Sequence, residues 1–211
     1  MRITLFGATG ALGGECLQQC LDARHEVTVV ARTPEKLNGS MRAQITVIEG
    51  DALAASVVDR ALEGAEAVLF AIGVDKGSPE DLCTDITRHI LTSMQKHGTR
   101  RLVWCGGGST IVADDDVTFG ARFVEFFANT FMGLRHRDKA HQLELLEQNR
   151  DLDWIGIRPL QMRTGPRRGH YRVGFDRFSG LSKIHFADCA DAMIRMLEDD
   201  TWLHRAPIIQ Y

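Results

Sequence analysis

Phe6-Gly7-Ala8-Thr9-Gly10-Ala11-Leu12-Gly13 is the stretch that decides the fold of this 211-residue chain. It comes directly after Arg2-Ile3-Thr4-Leu5, a run with strand character, and opens a stretch with helical character. A helix amino terminus leaves unpaired N–H groups and a partial positive charge, a setting that suits a diphosphate. Gly7 permits the sharp turn, Gly10 lets phosphate approach the backbone, and Gly13 allows helix and strand to pack closely. A glycine-rich turn can also serve only to join strand to helix. The strand–turn–helix context favours dinucleotide binding over that simpler role.

Outward from this loop, short β-branched runs alternate with helical stretches. The strand candidates are Ile3–Phe6, Val27–Ala31, Ile45–Ile48, Ala67–Ile72, Leu102–Cys105 and Trp154–Ile157. All are nearly continuously apolar, as strands covered on both faces should be. Helices are expected near 12–23, 52–63, 80–97, 132–148 and 187–198. In the third of these Leu82, Ile86, Ile90 and Met94 share one face, and Lys96-His97-Gly98 reads as its carboxyl end. The alternation predicts an α/β fold: a single Rossmann-type, doubly wound, mostly parallel sheet ordered 3-2-1-4-5-6, with helices on both faces. With no repeat or linker in view, residues 1–211 are expected to form one domain. Two irregular regions, 106–131 and 162–183, follow the carboxyl ends of late strands, where such a sheet binds its ligand.

Composition narrows the classes. The chain has 25% charged and 44% apolar residues, ordinary for a globular protein, and its formal net charge is −3. Nucleic acid is therefore not an expected partner. No stretch approaches the roughly 20 apolar residues of a membrane span. Five cysteines, Cys16, Cys20, Cys83, Cys105 and Cys189, form no CxxC pair and no even framework. They suit reduced thiols in a cytoplasm. Neither the Cys nor the His spacing forms a metal-ligand cluster.

The second strand speaks to the choice of dinucleotide. NAD binders place an acid there for the ribose 2′-hydroxyl, and NADP binders place Arg nearby. Here the strand ends in Arg32, followed by Thr33 and Lys36. Arg32 can fork onto a 2′-phosphate and Lys36 can add a point charge, which favours NADPH. Asp51, after the third strand, reads either as a partner for the adenine amino group or as a helix N-cap.

With these residues in place the chain resembles an atypical short-chain dehydrogenase/reductase, and within that superfamily the biliverdin-IXβ reductase/flavin reductase group. The resemblance runs nearly end to end: FGATGALG at 6–13, EVTVVAR at 26–32, EGDAL at 49–53, LVWC at 102–105, LDW with RP across 152–159, and Gln210-Tyr211. It implies a Rossmann domain, a monomer or weak dimer, that uses NADPH to reduce flavins, linear tetrapyrroles or other conjugated acceptors. FMN or FAD would then be substrate rather than prosthetic group. By the same resemblance Thr9, Gly10, Leu12, Arg32, Lys36, Asp51, Ala52, Ala71, Ile72 and Gly73 match cofactor-contacting positions, and Cys105, at the end of the fifth strand, is a further cofactor-binding candidate. That group carries a Thr-Ser step after its fifth strand. This chain reads Cys105-Gly106-Gly107-Gly108-Ser109-Thr110, and has Gln161 where the group has His.

Better-known short-chain dehydrogenases use Tyr-x-x-x-Lys. At the corresponding place stand Arg135-His136-Arg137-Asp138-Lys139, so Lys139 is retained without the tyrosine. Tyr171 and Tyr211 both lie beyond that helix. Hydride transfer to a flavin, quinone or bilin needs little help from a strong acid, because the acceptor delocalises the incoming charge. Ser109 and Lys139 are the candidate catalytic residues. Ser109 either donates a hydrogen bond to nicotinamide or acceptor, or caps a turn. His136 and His141 either shuttle protons or face solvent.

Phe119, Phe123, Phe126, Phe127 and Phe131 read either as the apolar face of a helix or as an aromatic mouth for a planar acceptor. From Arg158 to Arg177 six arginines accompany one aspartate. They form either a solvated face or a patch that attracts the phosphate of FMN or the propionates of a bilin. The expected partner is a small planar acceptor. The main alternative is a regulator that binds NADP(H) without turnover and signals to a protein partner. A nucleotide-sugar epimerase or dehydratase would need a larger carboxyl-terminal region.

Overall fold

The computed structural model describes residues 1–75, 77–108, 110–116, 133–175 and 183–211, without the side chains of 133–136. Its strands are β1 (Arg2–Phe6), β2 (Glu26–Ala31), β3 (Thr46–Glu49), β4 (Ala67–Phe70), β5 (Arg101–Cys105), β6 (Asp153–Pro159), β7 (Gln161–Arg163), β8 (Arg172–Gly174), β9 (Lys183–His185) and β10 (Ile208–Gln210). Its helices are α1 (Ala11–Asp22), α2 (Gly39–Arg42), α3 (Ala55–Ala61), α4 (Leu82–His97), α5 (Gly133–Glu147) and α6 (Phe186–Arg195).

Eight strands form one sheet in the order β3-β2-β1-β4-β5-β6-β10-β8, and β7 pairs with β9 in a small second sheet. The first six positions have the predicted 3-2-1-4-5-6 order, and all pairs among them are parallel. β10 adds in parallel beside β6, and β8 closes that edge in antiparallel sense. The sequence expectation contained neither of these three-residue strands.

Continuous apolar strands are explained by two covered faces. Along β4, Ala67 and Leu69 enter the core beneath α1 and α6, whereas Val68 and Phe70 enter the core beneath α3, α4 and α5. The large apolar strand residues of both cores are buried, and burial of each is worth roughly 1.5–3 kcal/mol. α4 ends as expected, with Gly98 in the left-handed region at φ 73°.

Three expectations need correction. β4 stops at Phe70 rather than Ile72, because Ala71 turns to pack its carbonyl against Gly7. α3 starts at Ala55, with Ala54 at its N-cap, so Asp51 is not the cap. Its Oδ1 instead accepts the Leu53 N–H at 3.0 Å, a turn two residues long. The region 162–183 is not wholly irregular, since it carries the end of β7 and all of β8.

A cap that the sequence did not advertise starts α4. Asp81, its N-cap, makes no side-chain bond to the helix. Asp138 of α5, fully buried, accepts the N–H groups of Cys83 (2.8 Å) and Thr84 (2.9 Å) and the Thr84 hydroxyl (2.8 Å). One carboxylate from a neighbouring helix thus satisfies donors that would otherwise be orphaned at the helix start. All five cysteines are buried free thiols. Among the described residues no helix is long and apolar enough to cross a membrane.

Candidate functional site

The glycine turn is built as a vise. Gly7, at φ +93°, lies so close to the β4 tip that a Cβ there would meet the Ala71 carbonyl at 2.7 Å. A Cβ on Gly13 would meet the Gly7 oxygen at 2.0 Å, so helix and turn touch through backbone alone. Gly10 donates its N–H to Gly7 O (3.0 Å) and then serves as N-cap of α1 without any side-chain cap. No acidic residue occupies the first turn. The amino end of α1 therefore offers open N–H groups and an uncompensated dipole, the fit a diphosphate needs.

A cleft of about 280 Å³ lies over this turn along the carboxyl ends of β1, β2 and β4. Gly7, Thr9 and Gly10 form its floor. Arg32, Lys36, Asp51 and Ala52 form the β2–β3 end, and Ala71, Ile72 and Gly73 the β4 end. Nine of the residues matched to cofactor positions, together with Gly7, thus meet in one cleft. Arg32 Nη1 stands 4.0 Å from Asp51 Oδ2, with both side chains largely solvated (73% and 45% exposed). So loose a pair is worth little and leaves the guanidinium available to an anionic ligand.

Three expected cofactor residues stand elsewhere. Leu12 is buried in the core under α1. Gly13 lies outside the cleft lining and acts through helix packing, as expected. The Cys105 side chain lies outside the cleft lining, in the core shared with Cys189, because its parity in β5 places it with Val103 on the face covered by α1 and α6. There the neighbouring Cys189 thiol and, more weakly, the Lys139 ammonium draw the Cys105 thiol down against the opposing effect of burial.

Lys139 reaches the site from α5 and has all three donors engaged. Its Nζ donates to Ile72 O (3.2 Å), Cys105 O (3.1 Å) and Gln142 Oε1 (3.1 Å), and sits 5.0 Å over the Phe70 ring. It ties the tips of β4 and β5 together beside the cleft. Gln142 continues the chain to the Thr87 hydroxyl at 2.8 Å. His141 faces Asp81 at 3.4 Å, both half-exposed, outside the cleft lining. Both tyrosine hydroxyls donate to carboxylates of α6, Tyr171 to Asp191 and Tyr211 to Asp188, each at 2.6 Å. Ser109, the His136 side chain and the phenylalanines from 119 to 131 lie outside the described residues.

The loop after β5 is held by a buried clamp that sequence reasoning missed. Arg158, fully buried at the end of β6, donates to Asp115 through both terminal nitrogens (2.5 and 2.9 Å), to Ala206 O (2.5 Å) and to Thr110 O. A Cβ on Gly108 would strike the Leu160 N at 2.7 Å, so the glycine run lies flat on the β6–β7 junction. Only the acidic run Asp114-Asp115-Asp116 hinted that one of these arginines would be neutralised. The cationic patch is accordingly smaller than the sequence count. Arg158 is matched by Asp115, and Arg167 by Asp191, which Arg195 also engages. Arg163, Arg168 and Arg172 remain exposed, while Arg177 lies outside the described residues. Gln161 opens β7 in an exposed position.

A family model described as NAD(P)H-binding matches residues 7–200. The uncharacterized protein YwnB of Bacillus subtilis is 26% identical over 204 residues, 94% of this chain and 92% of that protein. Among solved structures, ChuY, an anaerobillin reductase from Escherichia coli O157:H7, superposes with a TM-score of 0.82 at 20% identity, covering 100% of this chain and 97% of that one. A short-chain dehydrogenase/reductase of Veillonella parvula in complex with NADP gives a TM-score of 0.80 at 14% identity, covering 100% and 94%. At such identities the likeness to the two structures establishes the fold.

Proposed function

The chain belongs to the NAD(P)H-binding family, and from that premise we propose that it is an NADPH-dependent reductase of planar, conjugated acceptors such as flavins, quinones or bilins. An NAD(P)H-dependent oxidoreductase is the coarser statement that family and fold support. The observation that supports NADPH as the coenzyme is the convergence of Arg32 and Lys36 on the cleft over the uncapped turn, with no acid closing β2.

The bound coenzyme supplies the hydride. The chain's own part is to hold, orient and shelter. The open N–H groups of the α1 turn hold the diphosphate. Arg32 and Lys36 would hold the 2′-phosphate, and Asp51, 4.0 Å from Arg32, would steer that guanidinium or accept from the adenine amino group. Lys139 fixes the Ile72 and Cys105 carbonyls, and so the shape of the cleft's far end. The glycine loop, clamped by Arg158 and Asp115, sets the height at which a flat acceptor can approach. Ser109 remains the proposed hydrogen-bond donor to acceptor or nicotinamide. We further infer that residues 1–211 act as one unit, as a monomer or weak dimer in the cytoplasm. Met1 is the one large apolar side chain exposed among the described residues, and the five free thiols suit a reducing compartment.

A second reading, an NADP(H)-binding regulator, has one observation in its favour: Lys139 and both tyrosine hydroxyls are fully engaged by protein partners. One assay separates the two. NADPH consumption is followed with FMN, FAD, dichlorophenol-indophenol and biliverdin. Turnover of any acceptor supports the reductase, and tight binding without turnover supports the regulator. The coenzyme choice is tested by Arg32→Asp. Losing one charge-assisted phosphate contact should weaken NADPH by about 10–100-fold. NADH should change far less, and equal effects on both coenzymes would refute the NADPH assignment.

A further inference from the structure

β5 keeps its pairing with β6 beyond the point where its pairing with β4 ends. The register sets Phe70 opposite Trp104 on one side and Cys105 opposite Ile157 on the other. Past the strand, Gly106 donates to Ile157 O (2.8 Å) and Gly108 to Pro159 O (2.9 Å). Successive N–H groups of an extended chain point to opposite sides, so the Gly107 N–H faces the β4 side. A continued ladder would give that N–H to Ile72 O, and the Ile72 N–H to Cys105 O. Lys139 occupies both carbonyls instead, its Nζ lying 3.2 Å from Ile72 O and 3.1 Å from Cys105 O. Among the described residues the Gly107 N–H meets no acceptor, although the Gly107 carbonyl takes the Thr110 N–H at 3.1 Å.

The backbone around this donor is firmly held. A Cβ on Gly106 would strike the Trp104 ring at 2.5 Å, and one on Gly108 the Leu160 N at 2.7 Å, so both residues lie flush against their neighbours. Buried Arg158 holds the Thr110 carbonyl and is itself anchored by Asp115. Gly107 is half-buried, across the β4–β5 junction from Ile72, which lines the cofactor cleft. The carboxyl ends of the strands are where an open α/β sheet receives its ligand. A sheltered N–H without a protein acceptor is unfavourable until water or a ligand accepts from it. A donor aimed in advance stabilises charge that develops beside it, because nothing has to reorganise during the reaction.

We propose that the Gly107 N–H is a catalytic hydrogen-bond donor to the acceptor, engaging the carbonyl oxygen or ring nitrogen on which negative charge gathers as hydride arrives. The inference rests on the reductase reading and gives the site a donor in place of the missing tyrosine. In the step, the reactive C–H bond of the dihydronicotinamide breaks with its electron pair, and that pair forms the new bond to the acceptor. The coenzyme is oxidised and the acceptor reduced. Conjugation carries the charge to the heteroatom facing Gly107, and water then protonates the reduced acceptor. Gly107 keeps its own proton throughout, so this donor does not titrate.

The test deletes the donor alone: glycolic acid replaces glycine at position 107, so that an ester oxygen stands where the N–H was. Single-turnover oxidation of NADPH by menadione or FMN should slow by about 100-fold, the cost of removing one preorganised donor. NADPH affinity should not change, because the diphosphate turn is untouched. Binding to the wild type gives a second readout. In protein carrying isotope-labelled glycine, the Gly107 amide resonance is identified by its absence from Gly107→Ala. It should move downfield when menadione or FMN joins the NADP-bound protein. A shift produced by NADP alone and unaltered by either acceptor would assign the N–H to the coenzyme's carboxamide and overturn the proposal. An ester variant that turns over as fast as wild type would also overturn it, while leaving the reductase reading in place. A wild type that binds NADPH yet reduces no acceptor removes the reductase reading, and the proposal with it.

Discussion

Adding a single methyl group at Gly13 puts the dinucleotide reading at greatest risk. The new carbon would lie 2.0 Å from Gly7 O and 2.5 Å from Gly7 C, and moving the first contact out to the 3.4 Å edge of ordinary packing means a displacement of about 1.4 Å. Gly7 has little room to yield, since it lies so near β4 that a Cβ there would meet the Ala71 carbonyl at 2.7 Å, and its oxygen accepts the Gly10 N–H. The helix must therefore lift from the turn. Overpacking of this kind costs about 1–3 kcal/mol of stability. It also carries the open N–H groups of α1 out of line with a diphosphate. Losing two charge-assisted contacts at about 1.5 kcal/mol each predicts a roughly 100-fold weaker NADPH complex. The neighbouring Gly14→Ala is the control, because its Cβ meets only Ala8 O at 3.7 Å. That change should raise stability by about 0.5–1 kcal/mol. NADPH affinity is read by fluorescence titration and stability by urea unfolding. A folded Gly13→Ala protein that binds NADPH within twofold of wild type would show that the diphosphate does not sit on this turn.

Three further outcomes follow from particular contacts. Asp138→Ala should lower stability in urea unfolding by about 2–4 kcal/mol, because two helix-start N–H groups and a hydroxyl lose their acceptor; a loss below about 1 kcal/mol would mean that α4 finds another cap. Lys139→Met should lower the unfolding midpoint as well as turnover, since two strand-tip carbonyls lose their donor; lost turnover at an unchanged midpoint would restore a direct catalytic role. Burial and then the Asp191 acceptor push the Tyr171 hydroxyl above its ordinary range. Its stabilisation is therefore complete below the unfolded value of about 10 and is lost as pH rises through the higher folded value. Tyr171→Phe should flatten this alkaline decline in unfolding free energy, and an unchanged alkaline slope would refute the assignment.

The parallel half of the sheet was legible because its strands are nearly continuously apolar and the Leu82–Ile86–Ile90–Met94 stripe marks α4. β8 and β10 were not, because three residues carry no periodicity and their pairing depends on register with β6. The cleft was legible through Gly7, Gly10, Arg32 and Lys36, all near one another in sequence. The placement of the Cys105 side chain in the core beneath α1 and α6 was not legible, because it is set by parity within a strand buried on both faces. The Arg158–Asp115 clamp and the Asp138 cap were invisible for a different reason. Each joins residues 43 or more positions apart, and nothing local distinguishes a neutralised arginine from a free one.

The sealed cysteines make the protein its own reporter of opening. Burial pushes the Cys20 thiol up to about 12 and the Cys83 thiol to about 11, and it raises Cys16 as well. An alkylating reagent thus meets almost no thiolate at these positions until the surrounding layers part. Cys16 and Cys20 sit on the core face of α1, Cys83 on that of α4, so the order in which they are labelled would map which side of the sheet comes loose first.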